Sequence, residues 1–212
     1  MRLGPRLPRA FFARPSTEVA PDLLGRLLVR RLPDGTRLCG RIVEVEAYGP
    51  NDPASHAFAG PTPRNLVMFG PPGRLYVYFT YGMHFCANVV TGRDGEGSAV
   101  LLRAIEPLEG LGSMAAHRNR SEPRLFCSGP GRLTQALAIG SGENGADLVR
   151  GSEVFLTAGE PVPRPVIART TRVGVGTGPG ARPRWRYLER GNAFVSLGRP
   201  FVPGPSTGSR RS

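Results

Sequence analysis

The 212-residue chain contains no lysine: all 28 of its basic residues are arginines. No side-chain primary amine is available to form a Schiff base, which leaves only the α-amino group for chemistry of that kind. Cysteine is scarce. Cys39, Cys86 and Cys127 are odd in number, lie far apart and fall into no CxxC or Cys/His ligand spacing, so neither a disulfide framework nor a structural zinc site is expected. They read as small buried hydrophobes. No segment approaches the roughly 20 apolar residues of a membrane span. The apolar patch Ala10-Phe11-Phe12-Ala13 runs straight into Arg14-Pro15 and is too short for a signal-peptide core. The expected location is a reducing cytosol with its nucleoid, or a nucleus if the source is eukaryotic, and not the secretory route. The glycine cluster at 174–180 lacks both a Walker lysine and a GxGxxG following a strand, so no nucleotide or flavin cofactor is expected, and no metal. Acidic residues number only 16, which sets the net charge at +12 and makes a polyanion, nucleic acid above all, the natural partner.

What is present points to one domain spanning 1–212, since that length buries a substantial core and no repeat or linker divides it. Residues 1–15 and 203–212 are rich in Pro, Arg, Gly and Ser and read as flexible tails. Ser16-Thr17-Glu18 predicts the start of a helix ending at Gly25, and Pro33-Asp34-Gly35 predicts a hairpin turn between strands over 27–32 and 37–48. A helical turn over 64–69, strands within 76–90 and over 98–105, helices over 108–117 and 133–139, and short strands at 153–156, 166–171, 184–188 and 194–196 complete the pattern. The expected class is α+β: a single compact domain around a curved, mostly antiparallel β-sheet, with a protruding β-hairpin and peripheral helices.

Two stretches carry chemistry. Arg41-Ile-Val-Glu-Val-Glu-Ala-Tyr48 alternates strictly, so Glu44, Glu46 and Tyr48 face one side and Val43, Val45 and Ala47 the other. This is either a half-exposed strand with solvated glutamates or a catalytic face. Carboxylates at i and i+2 lie about 6.5–7 Å apart, inside the roughly 6.5–9.5 Å range of inverting glycosidases, so a carbohydrate hydrolase also fits. Arg103 within the apolar run Ala99–Ala104 and Asn88 within Cys86–Val90 are polar groups that must find partners. His56, taken alone, reads as a surface or packing histidine. The second stretch, YVYFTYGMHFCANVV at 76–90, is a hairpin whose tip holds out Tyr81 and Met83 where polar residues are normal.

Together, GRIVEVEAYGPNDPASHAF, TPRN, MFGPPGRLYVYFTYGMHFCANVV, AVLLRAIEPLEG, CSGPGRLTQAL and RVGVG closely resemble, in order over Ala13 to Leu197, the alkyladenine (3-methyladenine) DNA glycosylase family. The resemblance implies a bacterial, monomeric, monofunctional DNA glycosylase that initiates base excision repair on double-stranded DNA, flipping out alkylated or deaminated purines and hydrolysing the N-glycosidic bond. It makes Tyr81 the side chain that fills the gap left by the flipped nucleotide, with Met83 and His84 beside it in the minor groove. Tyr48, His56 and Tyr78 correspond to the residues that sandwich the base, and Asn88 to one that crowds a guanine amino group. Glu46 corresponds to the general base, and Arg103 and the carbonyl of Val175 to the groups that hold the attacking water. Glu44 receives no carried-over role.

Ser128, Gly131 and Arg132 at a helix start, with Thr62 and Arg64 of TPRN, are candidate phosphate contacts. The chain departs from the family at Ala59 and Pro61, where many relatives are basic, and its 116–124 loop is shorter than in vertebrate forms, which bears on DNA affinity more than on chemistry. The absence of lysine agrees independently with a monofunctional hydrolase. A catalytically silent minor-groove DNA-binding protein is the alternative.

Overall fold

The turn chemistry of Pro33-Asp34-Gly35 does what it predicts: Gly35 takes φ +84° and the Asp34 carboxylate accepts the Thr36 N–H at 2.8 Å. It joins β1 (Leu27–Arg31) to β2 (Arg37–Tyr48), which pair antiparallel. The structure is a computed structural model that describes residues 1–80 and 82–198. Further strands are β3 (Leu75–Thr80), β4 (His84–Thr91), β5 (Ser98–Glu109), β6 (Val154–Thr157), β7 (Ile167–Thr170) and β8 (Arg186–Glu189).

All eight strands form one sheet in the order β3-β4-β5-β2-β1-β6, with β8 pairing β2 and β7 pairing β8. The 12-residue length of β2 makes this possible. Its first half lies beside β1, Glu44 to Glu46 lie beside β8, and β5 runs along its other edge. The helices α1 (Arg9–Phe12), α2 (Ser16–Leu23), α3 (Leu111–Arg118) and α4 (Pro130–Ala136) surround the sheet, as an α+β reading requires. Val19, Ala20 and Leu23 of α2 join Ile42, Val45 and Ala47 of β2 and Leu102 and Ile105 of β5 in one buried core. Each fully buried valine, leucine or isoleucine among them contributes roughly 1.5–3 kcal/mol.

The hairpin projects because its strands pair with each other further than they pair with the sheet. β3 and β4 are in register from Leu75↔Val89 out to Thr80↔His84, whereas β4 meets β5 only from Asn88 to Thr91. The segment of β4 beyond that point is covered by α4, where Thr134 Oγ1 donates to Phe85 O at 2.8 Å.

Three expectations need correcting. Residues 1–15 pack on the domain: Leu7 and Phe12 are buried, Leu7 N–H donates to Leu156 O at 3.1 Å, and Arg6 bridges Thr157. Proline and arginine dominate that segment's composition, but two apolar anchors suffice to dock it along the edge of β6. Helix α4 starts three residues early, at Pro130, because proline fits the first helical turn, where its missing N–H has no partner to lose. Phe194–Ser196 forms a turn after Asn192 instead of a strand. The proposed C-terminal tail, 203–212, lies outside the described residues.

Candidate active site

Two irregularities in one ladder build the polar side of the site. In the β2–β5 register Ile42 faces Ile105, Glu44 faces Ala104 and Val45 faces Leu102. Val43 is therefore an extra residue on β2 and Arg103 an extra residue on β5, one on each side of Glu44. Such bulges re-aim side chains. Here they let Ile42 join the core with Val45 and Ala47, while Arg103 meets the Glu44 and Glu46 carboxylates. Both glutamates are 0% exposed, which excludes the solvated-strand reading.

Glu44 is saturated. Its Oε1 accepts Arg103 Nε at 2.7 Å, Arg186 Nε at 2.7 Å and Ser196 Oγ at 2.8 Å, and its Oε2 accepts the Ser196 N–H at 2.6 Å. Burial alone would raise this carboxyl, but Arg103 and Arg186, with the Ser196 hydrogen bond, hold it below the ordinary carboxylate value. A carboxylate occupied in this way cannot serve as the second catalytic acid of a carbohydrate hydrolase.

Glu46 is held differently. Val173 N–H donates to its Oε1 at 2.7 Å, Arg103 Nη1 stands 3.2 Å from the same oxygen, and Tyr48 Oη donates to Oε2 at 2.9 Å. A carboxylate offers about four acceptor positions, so one remains on Oε2. Burial and then Glu46 itself push the Tyr48 phenol well above its usual value, so it stays a neutral donor. Burial opposes the charge on Arg103, and the Glu46 and Glu44 carboxylates more than restore it.

The aromatic side arises where β4 leaves β5. Their pairing ends at Asn88↔Leu101, and further along Ser128 takes the neighbouring place, bridging Ala104. Between them opens a cavity of about 400 Å³ lined by Tyr48, His56, Tyr76, Tyr78, Asn88, Arg103 and residues 173–175, together with His84 and Pro130. Glu46 sits one layer behind this wall, held by three residues that line it.

The His56 ring meets Tyr78 edge-on, with centroids 4.4 Å apart and planes at 68°, and its Nδ1 lies 3.1 Å from Tyr76 Oη. Burial and then Arg64 lower the His56 pKa, which favours the neutral imidazole. Burial also pushes the Tyr76 phenol up to about 12 and raises that of Tyr78, so these two rings stay uncharged. Asn88 is buried and donates to Tyr76 O at 3.2 Å.

Of the sequence candidates, Arg103, Tyr48, His56, Tyr78, Asn88, His84 and Val175 come together around the cavity, with Glu46 behind them. Met83 is 75% exposed at the hairpin tip, and Tyr81 lies outside the described residues. Thr62 is tied to Asn65 through its N–H at 2.6 Å and its hydroxyl at 3.0 Å. Arg64 reaches the hairpin, donating to Phe79 O at 2.8 Å. Arg132 donates to Ser128 Oγ at 3.0 Å, and Gly131 abuts His84 so closely that a Cβ there would stand 2.4 Å from the imidazole.

Several residues were not singled out from sequence. Tyr76 shares the face of Tyr78 at period two, a legible signal. Val173, Ser196 and the pair Arg172–Asp52 carry none. Arg172 is fully buried, donates to Ala47 O at 2.9 Å and to Asp52, and lies 4.5 Å from the Tyr48 ring centre and 5.1 Å from that of Trp185.

The family model described as methylpurine-DNA glycosylase (MPG) matches residues 10–193. A protein of Carboxydothermus hydrogenoformans named "Putative 3-methyladenine DNA glycosylase" is 50% identical over 190 residues, covering 90% of this chain and 98% of the relative. A protein of the same name from Burkholderia cenocepacia is 50% identical over 202 residues, 94% and 95% of the two chains. Another from Rhodopseudomonas palustris is 48% identical over 202 residues, 95% of each.

Proposed function

The chain belongs to the methylpurine-DNA glycosylase family, and from that premise we propose that it is a monofunctional hydrolase excising 3-methyladenine, 7-methylguanine, ethenoadenine and hypoxanthine from duplex DNA. The observation that carries this reading is a buried glutamate, Glu46, fixed by Arg103, Val173 N–H and Tyr48 Oη immediately behind an aromatic cavity.

The damaged nucleotide turns out of the stack, its base enters the cavity, and Tyr81, between Thr80 and Gly82, fills the vacated space with Met83 and His84 in the minor groove. Damaged pairs pay least for extrusion, which supplies part of the selectivity. The rings of Tyr48, His56 and Tyr78 bracket the base, and a cationic N-alkylpurine gains from their faces. Asn88 opposes the guanine amino group.

A water held by Arg103 and the carbonyl of Val175 gives a proton to the free position on Glu46 and its oxygen to C1′. The N-glycosidic bond breaks with oxocarbenium character and its electron pair leaves with the base. A cationic alkylpurine leaves neutral, whereas hypoxanthine and ethenoadenine leave as anions that take up a proton from solvent; the products are the free purine and an abasic site. No lysine is present to attack C1′ and nick the strand. Thr62, Arg64, Ser128, Gly131 and Arg132 serve as phosphate contacts, Thr62 and Arg64 after giving up their internal bonds and Arg132 after releasing Ser128 Oγ. Among the described residues no helix is long and apolar enough to cross a membrane, and a monomer is the expected form on DNA.

The test is base release from duplexes carrying one hypoxanthine or ethenoadenine, comparing the native protein with Glu46→Gln and scoring abasic sites by alkali cleavage. Strand breaks only after alkali, and only with native protein, are expected. Breaks without alkali would overturn the monofunctional assignment. Full release by Glu46→Gln would overturn the role of Glu46, and lesion binding without release by either protein would favour the silent DNA-binding alternative.

A further inference from the structure

Arg103 makes its shorter bond to the wrong glutamate for a group that serves Glu46. Its Nε lies 2.7 Å from Glu44 Oε1, whereas its Nη1 stands 3.2 Å from Glu46 Oε1. Its Nη2 reaches Ser196 Oγ at 3.4 Å, and that hydroxyl in turn donates to Glu44 at 2.8 Å. A guanidinium is a rigid planar fork, so fixing Nε and Nη2 fixes the direction in which Nη1 points. Left to choose, an arginine beside a carboxylate favours the bidentate pair with two parallel bonds. On Glu46 such a pair would consume the acceptor position that a proton-accepting carboxylate needs.

We propose that Glu44 is a positioning residue: with Ser196 it grips the Nε side of Arg103, so that only Nη1 faces Glu46 and one acceptor position on Glu46 Oε2 stays free. This rests on the reading of Glu46 as the base. Arg186 completes the device. Two carboxylates and two guanidiniums leave the buried group neutral, and Arg186 Nε holds Glu44 from β8 at 2.7 Å while Arg103 holds it from β5. The glutamates at i and i+2 on β2 thus divide the work, one orienting the arginine and the other accepting the proton.

The experiment is single-turnover release of hypoxanthine by Glu44→Gln, Arg103→Gln and Glu44→Gln/Arg103→Gln, with the dissociation constant for the same duplex and the melting temperature of each protein. A displaced catalytic group costs on the order of 10²-fold, so Glu44→Gln should slow release about tenfold to a hundredfold with lesion binding within about twofold of native. The double variant should be no slower than Arg103→Gln alone, because Glu44 acts only through Arg103.

If Glu44→Gln fails to fold, the charge-balanced Glu44→Gln/Arg186→Gln serves in its place, with the same expected split between release and binding. Native release rates in a folded Glu44 variant, equal losses in release and binding, or multiplicative losses in the double variant would each overturn the proposal. Glu46→Gln in the same assay separates the two readings. If it retains release, the general-base assignment fails; if it is inactive while Glu44→Gln is fully active, only the positioning role fails.

Discussion

Replacing Asp52 by asparagine should destabilise the protein far more than its position in a loop suggests. Asp52 and Arg172 are 1% and 0% exposed, the most deeply buried ion pair among the described residues. Asparagine keeps the shape and the carbonyl oxygen that accepts the Ala54 N–H, at 3.0 Å in the native chain. It removes the charge and turns an amide NH₂ toward a guanidinium that only donates. Removing one partner of a buried pair costs about 3–5 kcal/mol. Arg172 keeps the carbonyls of Ala47 and Gly180 and the faces of Tyr48 and Trp185, which argues for the lower end, about 3 kcal/mol. At about 2–4 °C per kcal/mol for a domain of this size, the melting temperature should fall by roughly 6–12 °C.

The assay is thermal unfolding of the native protein, Asp52→Asn, Arg172→Met and the double variant. Because loss of both charges strands neither, the double variant should melt above Asp52→Asn. Base release should also slow at temperatures where Asp52→Asn is folded, since Arg172 backs Tyr48 and immediately precedes Val173. A melting temperature within about 2 °C of native, or losses that simply add in the double variant, would refute the buried-charge reasoning.

Gly131→Ala should push α4 and the outer end of the hairpin apart, since the new Cβ would meet the His84 ring at 2.4 Å. A cost of about 1–3 kcal/mol and weaker binding to lesion duplex are expected, and unchanged binding would show that α4 does not set the hairpin's position. Burial pushes Cys39 and Cys127 up to about 12 and raises Cys86, so iodoacetamide at pH 8 should leave the native thiols unmodified and label them in guanidinium; rapid labelling of the native protein would contradict their burial. Stability should decline on acidification in two stages. The folded state holds His56 below its usual 6.5, through burial and then Arg64, so the unfolded chain takes up that proton first and stability falls as the pH drops below about 6.5. Arg103 and Arg186, against the effect of burial, hold Glu44 below 4.5, so its contribution is present above that value and is lost as the pH falls through the lower folded-state value. Urea unfolding at pH 7.5, 5.5 and 3.5 reads both stages, and greater stability at pH 5.5 than at 7.5 would reverse the sign argued for His56.

The legible parts of the site were those set by period two within one strand. Glu44, Glu46 and Tyr48 do share a face, Tyr78 does look into the cavity, and Tyr76 could have been added by the same count. Bulges at Val43 and Arg103 were not legible, because a bulge is a property of two strands in register and neither strand's own pattern contains it. The partnership of Asp52 with Arg172, 120 positions away, likewise depends on tertiary closure. Composition misled at the N-terminus for a related reason: it registers the prolines and arginines of residues 1–15 but not that Leu7 and Phe12 meet a free strand edge and a core.

The missing lysines and the two buried glutamates belong to one physical account. A carboxylate can be fully desolvated and remain ionised only beside a cation that also remains charged there. Lysine is a poor choice, since burial readily strips its proton, whereas a guanidinium keeps its charge and spreads it over five directed donors. Arg103 and Arg186 can therefore neutralise Glu44 and Glu46 while also fixing their orientation, which point-charge ammonium groups would not do. In a chain without lysine, the side chains that pair with the glutamates are also side chains with no primary amine to attack C1′, so the electrostatic solution and the proposed restriction to hydrolysis have the same source.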